Sequence, residues 1–132
     1  MAATYDRSLQ LRGGSDRASY GYRPAQGVRI FRNAIVAVTA NLEAVPAGHA
    51  DAVAVVGVAE GGMDNRTGEA NDRFVYVRRG VFRLDMETAT AANINAPVFA
   101  SDDDTLLLTN ENGELQVGTI DAIDAEGVWV NV

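Results

Sequence analysis

Short apolar runs separated by polar turn residues are the main pattern of this chain, and they are clearest in its last third. Residues 95–132 contain runs of Val, Ile, Leu, Phe and Trp interrupted by Ser-Asp-Asp-Asp, Asn-Glu-Asn-Gly and Ala-Glu-Gly. Strand-length runs with this punctuation are typical of small antiparallel β proteins. The pattern therefore predicts a mainly β fold, a small antiparallel barrel or sandwich.

The earlier part of the chain follows the same pattern. Residues 28–39 are rich in Val and Ile and are interrupted near Asn33, and residues 52–60 are apolar on both alternating faces. The second run is what a strand buried on both sides looks like. Residues 74–86 have the strongest strand pattern, and Gly80 in their middle predicts a bulge or a barrel corner.

The remaining strands are predicted near residues 97–100, 105–109, 114–123 and 127–132. Asn112-Gly113 predicts a hairpin turn, and residues 88–95 are expected to form a helical turn that ends before Pro97. We expect a core made by the apolar strand positions Val53, Val55, Val58, Phe74, Val75, Val77, Phe82, Leu84, Val98, Leu107, Ile120, Val128 and Val130.

The first 27 residues differ from the rest. They are polar, rich in glycine and arginine, and have no sustained period, so they bury too little apolar surface to offset the cost of ordering. We therefore predict an extended arm over residues 1–27, disordered when alone, followed by a single β domain over residues 28–132 that folds without it. Because tyrosine and arginine are enriched among binding anchors, the arm is expected to dock on a partner.

Charge is unevenly distributed along the 132 residues, whose net charge is −7. Residues 1–32 carry six arginines and two aspartates, whereas residues 33–132 carry five arginines and sixteen acidic residues. All eleven cations are arginines, and the planar guanidinium is suited to forked contacts with carboxylates. A basic arm on an acidic body indicates docking on an acidic surface.

Several classes of site lack the residues that they need. The chain has no cysteine, which excludes disulfides, thiolate catalysis and cysteine-based metal sites. His49 is the one histidine, so a zinc site or a Ser–His relay is incomplete unless carboxylates contribute. The run Asp102-Asp103-Asp104 does not match a calcium loop. We interpret both as solvated loop residues and predict no catalytic residue, metal or cofactor.

Targeting signals are also missing from the pattern. No stretch approaches the ~18 apolar residues of a membrane span, and the N-terminal residues have no apolar run of signal-peptide length, so neither a membrane location nor secretion is expected.

Three residues in strands have more than one interpretation. Arg78 and Arg79 are adjacent, so their side chains point to opposite faces of a strand, and one of them either points inward or lies at an interface. The alternative is that both lie at the sheet margin. Trp129 alternates with the valines of the last strand, so it either fills a second apolar layer or contacts another subunit.

The order of segments resembles a known family. It comprises an arginine-containing leader, then GVRIFRNAIVAV, VPAG, VVGVAE, DNRTG, VYVRRGVFRLD, PVFASDDDTL, VGTID and GVWVNV. This order is similar to that of the capsid cement or head-decoration proteins of tailed phages, over nearly the whole chain from about residue 7. Some relatives have been labelled recombinase-like, but this chain has no lysine and therefore no Gly-x-x-x-x-Gly-Lys loop.

The resemblance implies a protein that binds the outside of an assembled capsid and stabilises it against internal DNA pressure. It implies the major capsid protein as partner, a homotrimer, synthesis in the bacterial host cytoplasm and a final place on the outer surface of the virion. The expected capsid-binding residues are Tyr5, Arg7, Arg12, Arg17, Tyr20, Tyr22 and Arg23, and the expected subunit-interface residues are Arg78, Arg79 and Trp129.

Two other classes stay open. A nucleic-acid-binding module would use the arginine-rich arm, which contains Arg-Gly-Gly at 12–14; against it, the body is acidic and no predicted strand presents a row of aromatic residues. A small β-barrel enzyme would need an acid/base pair, for which Asp85 and Glu87 are the nearest candidates.

Overall fold

The computed structural model describes residues 19–67, 73–86 and 89–132. Over these residues the chain is mainly β, which confirms the predicted fold class, and its helix is limited to one 3₁₀ turn, Ala91–Asn93. The strands are β1 Ser19–Pro24, β2 Arg29–Ile30, β3 Ile35–Val38, β4 Glu43–Pro46, β5 Ala54–Ala59, β6 Met63–Asp64, β7 Val75–Arg78, β8 Val81–Leu84, β9 Pro97–Ala100, β10 Leu106–Leu107, β11 Leu115–Asp124 and β12 Gly127–Asn131.

Five strands form a closed barrel in the order β1-β4-β3-β5-β7. Strand β1 closes it by pairing on both sides, parallel with β4 and antiparallel with β7. Arg23 is in register with Glu43 of β4, and Tyr22 is in register with Val75 of β7. Closure removes the unpaired edges that an open sheet of the same strands would expose.

A second, five-stranded antiparallel sheet has the order β10-β9-β11-β12-β8, and β2 and β6 form a separate two-stranded ribbon. The chain passes from the barrel to the second sheet at Gly80, between the end of β7 and the start of β8. The predicted corner at Gly80 is therefore confirmed. The end of the chain also reaches this corner, where the backbone N–H of Val132 donates to the Gly80 carbonyl at 2.9 Å.

The apolar core consists of several clusters. Inside the barrel, alternate positions of the strands meet, including Val36, Val38, Val75 and Val77. Between the barrel and the second sheet, Ile35 and Val58 pack with Ala100 and Val117 and with half-buried side chains of β8. The second sheet adds its own cluster of Val98, Ile120, Val128 and Val130.

Two members of the predicted core are exposed. Val53 is 55% exposed because it precedes β5, and Phe74 is 41% exposed because it lies on the outer face next to β7, whose inner positions are Val75 and Val77. Four others are only half-buried: Val55, Phe82, Leu84 and Leu107. The remaining seven are buried. Phe74 was predicted to point inward, but side chains alternate between the two faces of a strand, and Val75 and Val77 occupy the inner positions.

The predicted arm is wrong for the residues of β1. Strand β1 begins at Ser19, well before the predicted boundary at residue 27, and it belongs to the barrel. Tyr20 and Tyr22 point inward and pack against the barrel core, while the positions that alternate with them in the strand are exposed. This alternation gives the strand an apolar face despite its polar composition. Residues 1–18 of the predicted arm lie outside the described residues.

Removing residues 1–26 should therefore unfold the domain rather than leave it intact. The deletion removes β1, exposes the edges of β4 and β7 and takes two tyrosines from the core. We expect the truncated chain to lose cooperative thermal unfolding in circular dichroism, and a chain that lacks only residues 1–18 to keep it. Equal melting curves for the two truncations would show that β1 is dispensable.

Gly118 should be intolerant of any side chain. It lies at a register shift in β11, between the paired strands β9 and β12, and a Cβ there would collide with the backbone carbonyl of Asn131. The Cβ is attached directly to one backbone and meets the carbonyl of another, so neither atom can move aside as a flexible side chain would. Gly118→Ala should therefore lower the free energy of unfolding by about 1–3 kcal/mol. Gly61→Ala is the matched control, since no atom lies within 4 Å of its Cβ position. Equal stabilities in urea denaturation would contradict this packing.

Candidate interaction surface

The outer face of the paired strands β1 and β7 carries an exposed aromatic pair. Phe74 and Tyr76 are 41% and 53% exposed, and their ring centroids are 6.3 Å apart at an angle of 39°. Tyr76 is in register with Gly21 of β1. Tilted rings at this distance attract one another, and exposed neighbouring aromatics are unusual on a surface that contacts only water.

Gly21 and Arg23 of β1 complete this surface. A Cβ at Gly21 would lie 3.2 Å from Cε1 of Tyr76 and 3.5 Å from Cδ1 of Phe74, so both rings lie across the backbone of β1 where it has no side chain. The guanidinium carbon of Arg23 lies 5.5 Å from the centroid of the Phe74 ring, within the range of a cation–π contact. We call Gly21, Arg23, Phe74 and Tyr76 the aromatic shelf.

A groove of about 340 Å³ runs beside the shelf, between β7 and the segment that precedes β6. Its lining residues are Glu60, Gly61, Gly62, Met63, Phe74, Val75 and Tyr76. The backbone N–H of Glu60 donates to the carbonyl of Tyr76 at 2.9 Å, which holds the two walls together. Glu60 is the one charged side chain of that lining, so the groove has aromatic rings on one wall and a carboxylate on the other.

Arginines also lie over two other phenylalanines. Arg29 stacks on Phe31 with 4.6 Å between guanidinium carbon and ring centroid, and Arg78 stacks on Phe82 at 5.2 Å. With Arg23 and Phe74, three of the four phenylalanines of the chain are covered in this way. The Arg78–Phe82 pair joins β7 to β8 across the corner, so it covers an edge of the core between barrel and second sheet.

One forked ion pair lies on the ribbon of β2 and β6. Arg66 donates from Nε to Oδ1 of Asp64 at 2.9 Å and from Nη2 to Oδ2 at 2.7 Å. Hydrogen bonds from the Arg66 side chain and backbone hold the pKa of Asp64 far below its ordinary value. Both groups are exposed, so the pair orients the loop and adds little stability.

Charge is divided between the two halves of the described structure. Residues 19–86 contain eight arginines and seven acidic residues, whereas residues 89–132 contain eight acidic residues and no basic one. The first group forms the barrel, the β2–β6 ribbon and β8, and the second forms β9 to β12. The arginines are therefore not confined to an N-terminal arm, as the sequence indicated; they continue through the barrel, the ribbon and β8, while β9 to β12 and their turns carry only carboxylates.

The structure places the predicted capsid-binding residues in different environments. Tyr20 and Tyr22 are half-buried against the barrel core, so their rings are not an outward docking surface. Arg23 lies on the outer face, in the aromatic shelf. The other four, Tyr5, Arg7, Arg12 and Arg17, lie outside the described residues.

The two adjacent arginines are both exposed. Arg78 ends β7 and faces outward over Phe82, and Arg79 lies at the corner beside Gly80. Neither arginine points inward, because the strand ends between them and the alternation of faces stops, so the alternative that both lie at the sheet margin fits the structure. Their role at a subunit interface stays a prediction.

Trp129 lies half-buried in β12, in register with Arg83 and Ala122. Its indole Nε1 donates to Oδ2 of Asp124 at 2.9 Å, across the hairpin of β11 and β12. This bond, followed by the N–H of Glu126, lowers the pKa of Asp124. The indole is thus tied to its own hairpin, and a subunit contact there stays a prediction.

The acidic turn 102–104 belongs to the second sheet and is hydrogen-bonded to the barrel. Asp102 accepts the backbone N–H groups of Asp104 at 2.8 Å and Thr105 at 2.6 Å, and these bonds lower its pKa. The carbonyl of Asp103 accepts the N–H of Ile35 from the barrel at 3.0 Å. Burial, and then the charge of Asp102, raise the pKa of the Asp103 carboxyl. The turn between β9 and β10 exposes Asp102 and Asp104, in agreement with the prediction, and only Asp103 is half-buried.

The other chemical candidates are separate from one another. His49 is half-buried and its Nδ1 accepts the N–H of Asp51 at 3.1 Å, in a cavity of about 300 Å³ that Ser101 and Glu114 also line. Asp85 is exposed after β8, and Glu87 lies outside the described residues. Within the described ranges, no three His, Asp or Glu side chains are grouped so that they could hold a metal ion. No helix in that part of the chain is long and apolar enough to cross a membrane.

Comparisons with known proteins found no match to the chain among protein-family models, curated proteins or solved structures. The candidate surface therefore depends on its own geometry. Sequence reasoning missed the shelf because Phe74 was assigned to the core and Gly21 to a disordered arm. The period-two pattern in FVYV places Phe74 and Tyr76 on one face and was the available signal.

The Trp129–Asp124 bond gives a pH-dependent signal. Because the pKa of Asp124 is lowered in the folded chain, protonation should weaken the bond only when the pH falls below the ordinary aspartate value of about 3.9. Trp129 is the single tryptophan, so its fluorescence should change with a midpoint below that value. Asp124→Asn should abolish this transition, with circular dichroism recorded at each pH to confirm the fold. A midpoint near 4 or above would contradict the bond.

Proposed function

We propose that this protein is a capsid decoration protein of a tailed phage, which binds the outer surface of the head and stabilises it. The observation that supports this most is the division of charge between the two halves of the molecule. A cement protein needs one side that binds the shell and one side that remains in solvent. An arginine-bearing barrel and the strands β9 to β12 of the second sheet, which with their turns carry eight carboxylates and no cation, meet that need.

The resemblance in segment order supports the same proposal. The quoted segments VVGVAE, VYVRRGVFRLD, PVFA, VGTID and GVWVN fall on β5, β7 with β8, β9, β11 and β12. They therefore cover two of the five barrel strands, four of the five strands of the second sheet, and the corner between the two sheets. The similarity covers the framework of the fold and is not confined to one loop.

The partner in this proposal is the major capsid protein. Arginine forks of the barrel would meet carboxylates on the shell, and the acidic second sheet would point away from it. We propose a homotrimer as the bound form and the outer surface of the virion as the location. Several weak contacts within one oligomer would multiply on a repeating surface, so no single contact needs high affinity.

A nucleic-acid-binding module is the second candidate, and one observation favours it. Strand β7 and the residue before it present two exposed aromatic rings with an arginine over one of them, and bases stack on such side chains. The overall charge of −7 opposes it, since phosphate binding is driven by cations. An affinity for DNA that falls steeply with salt would favour this candidate over the first.

Binding to heads tests the proposal directly. The intact chain should cosediment with purified DNA-free heads of the phage that encodes it, prepared without this protein, and should saturate at a fixed number of copies per head. Decorated full heads should also retain DNA to a higher temperature than undecorated ones. Failure of the intact, folded chain to bind heads would contradict the proposed function. A chain of matched size and charge, such as an unrelated acidic β protein, controls for trapping.

Arginines of the N-terminal segment should contribute to this binding. Replacing Arg7, Arg12 and Arg17 together by Gln in the intact chain removes three guanidinium groups and leaves β1 unchanged. We expect weaker cosedimentation, and a smaller loss of binding when salt is raised, because fewer exposed ion pairs remain to be screened. Unchanged binding and salt dependence would place the contact entirely on residues 19–132.

A further inference from the structure

The aromatic shelf is held in a fixed arrangement by the barrel. Tyr76 belongs to β7, which pairs with β1 on one side and β5 on the other, and its carbonyl accepts the N–H of Glu60. Phe74 is confined between Arg23 and Tyr76. The rings therefore lie on the paired strands of a closed barrel, where binding costs less ordering entropy than it does on a loop.

The composition of the shelf is that of a binding anchor. Tyrosine and arginine are over-represented among residues whose truncation weakens protein–protein complexes, and such residues lie in the centre of an interface. The pair of rings is more than two-fifths exposed, although neighbouring positions of β7 are fully buried. A partner that covered the rings would remove that apolar surface from water.

The charges around the shelf define the chemistry of the partner. Arg23 stands over Phe74 on one side, and Glu60 lines the groove on the other. A carboxylate of the partner would meet Arg23, an apolar side chain would pack on the rings, and a backbone N–H or other donor would meet Glu60. Nucleic acid fits less well, since its phosphates would approach Glu60 without a compensating cation there.

We propose that the aromatic shelf is the surface through which the barrel docks on the capsid protein, and that it takes an acidic segment carrying an apolar side chain. This inference rests on the proposed function and adds the face of the molecule that meets the shell. It also assigns the acidic sheet of β9 to β12 to the solvent side.

Point variants in the intact chain test this inference. Phe74→Ser, Tyr76→Ser and Arg23→Glu should each weaken cosedimentation with DNA-free heads by about tenfold or more, as truncation of a central anchor does. Ile94→Ser is the matched apolar control, because Ile94 is 42% exposed but follows the 3₁₀ turn on the acidic side. Arg83→Glu is the matched charge control, since it makes the same change in net charge from β8. Both controls should bind as the parent does.

Melting temperatures identify variants that lose their fold. Tyr76 is the more exposed ring and Arg23 is a surface residue, so these two variants remain informative if Phe74→Ser is destabilised. Heads that bind the intact chain and all three folded variants equally would overturn this inference while leaving the proposed function in place. Absence of binding by the intact chain would instead contradict the proposed function itself.

Two further outcomes would assign the shelf to another partner and overturn the inference. If a double-stranded DNA fragment competed with empty heads for the intact chain and Arg23→Glu removed that competition, the shelf would bind nucleic acid. If sedimentation showed that Tyr76→Ser converts an oligomer of the free chain into monomers, the shelf would be a contact between copies.

Discussion

Closure of the barrel by β1 is the interaction on which the rest of the structure depends. This strand pairs with β4 on one side and β7 on the other, and Tyr20 and Tyr22 fill the core from its inner face. Without it, both neighbouring strands would have an open edge. The same pairing places the outer face of β1 under the rings of Phe74 and Tyr76, so that one strand closes the core and supports the candidate surface.

Barrel and second sheet are also one unit rather than two independent sheets. The chain crosses between them at Gly80, Arg78 of one sheet covers Phe82 of the other, and the N–H of Ile35 bonds to the carbonyl of Asp103. An apolar layer that includes Val58 and Val117 lies between them. Because the outer side of the barrel packs against the second sheet through this layer, the division of charge is held in a fixed geometry, and the two sides of the molecule cannot reorient freely.

The strands with dense apolar runs were predictable from the sequence, and the closing strand was not. Segments such as residues 54–59 and 115–124 combine β-branched residues with turn punctuation, so a local reading is sufficient. Strand β1 contains Gly, Arg and Pro, and its parallel pairing with β4 joins segments about twenty residues apart, which no local pattern indicates. The candidate surface was missed for the same reason, because Gly21 and Phe74 meet only through the long-range pairing of β1 with β7.

The distribution of charge in the fold differs from its distribution along the chain. Counted along the chain, the positive excess of residues 1–32 indicated a basic arm on a uniformly acidic body. In the fold, arginines continue through the barrel and the corner to Arg83 in β8 of the second sheet, and every charged residue after Arg83 is acidic. The electrostatic field at a surface depends on where the charged groups lie in space and not on their order in the sequence. A surface that attracts an acidic partner therefore needs no basic tail, provided that the carboxylates are gathered on a different sheet.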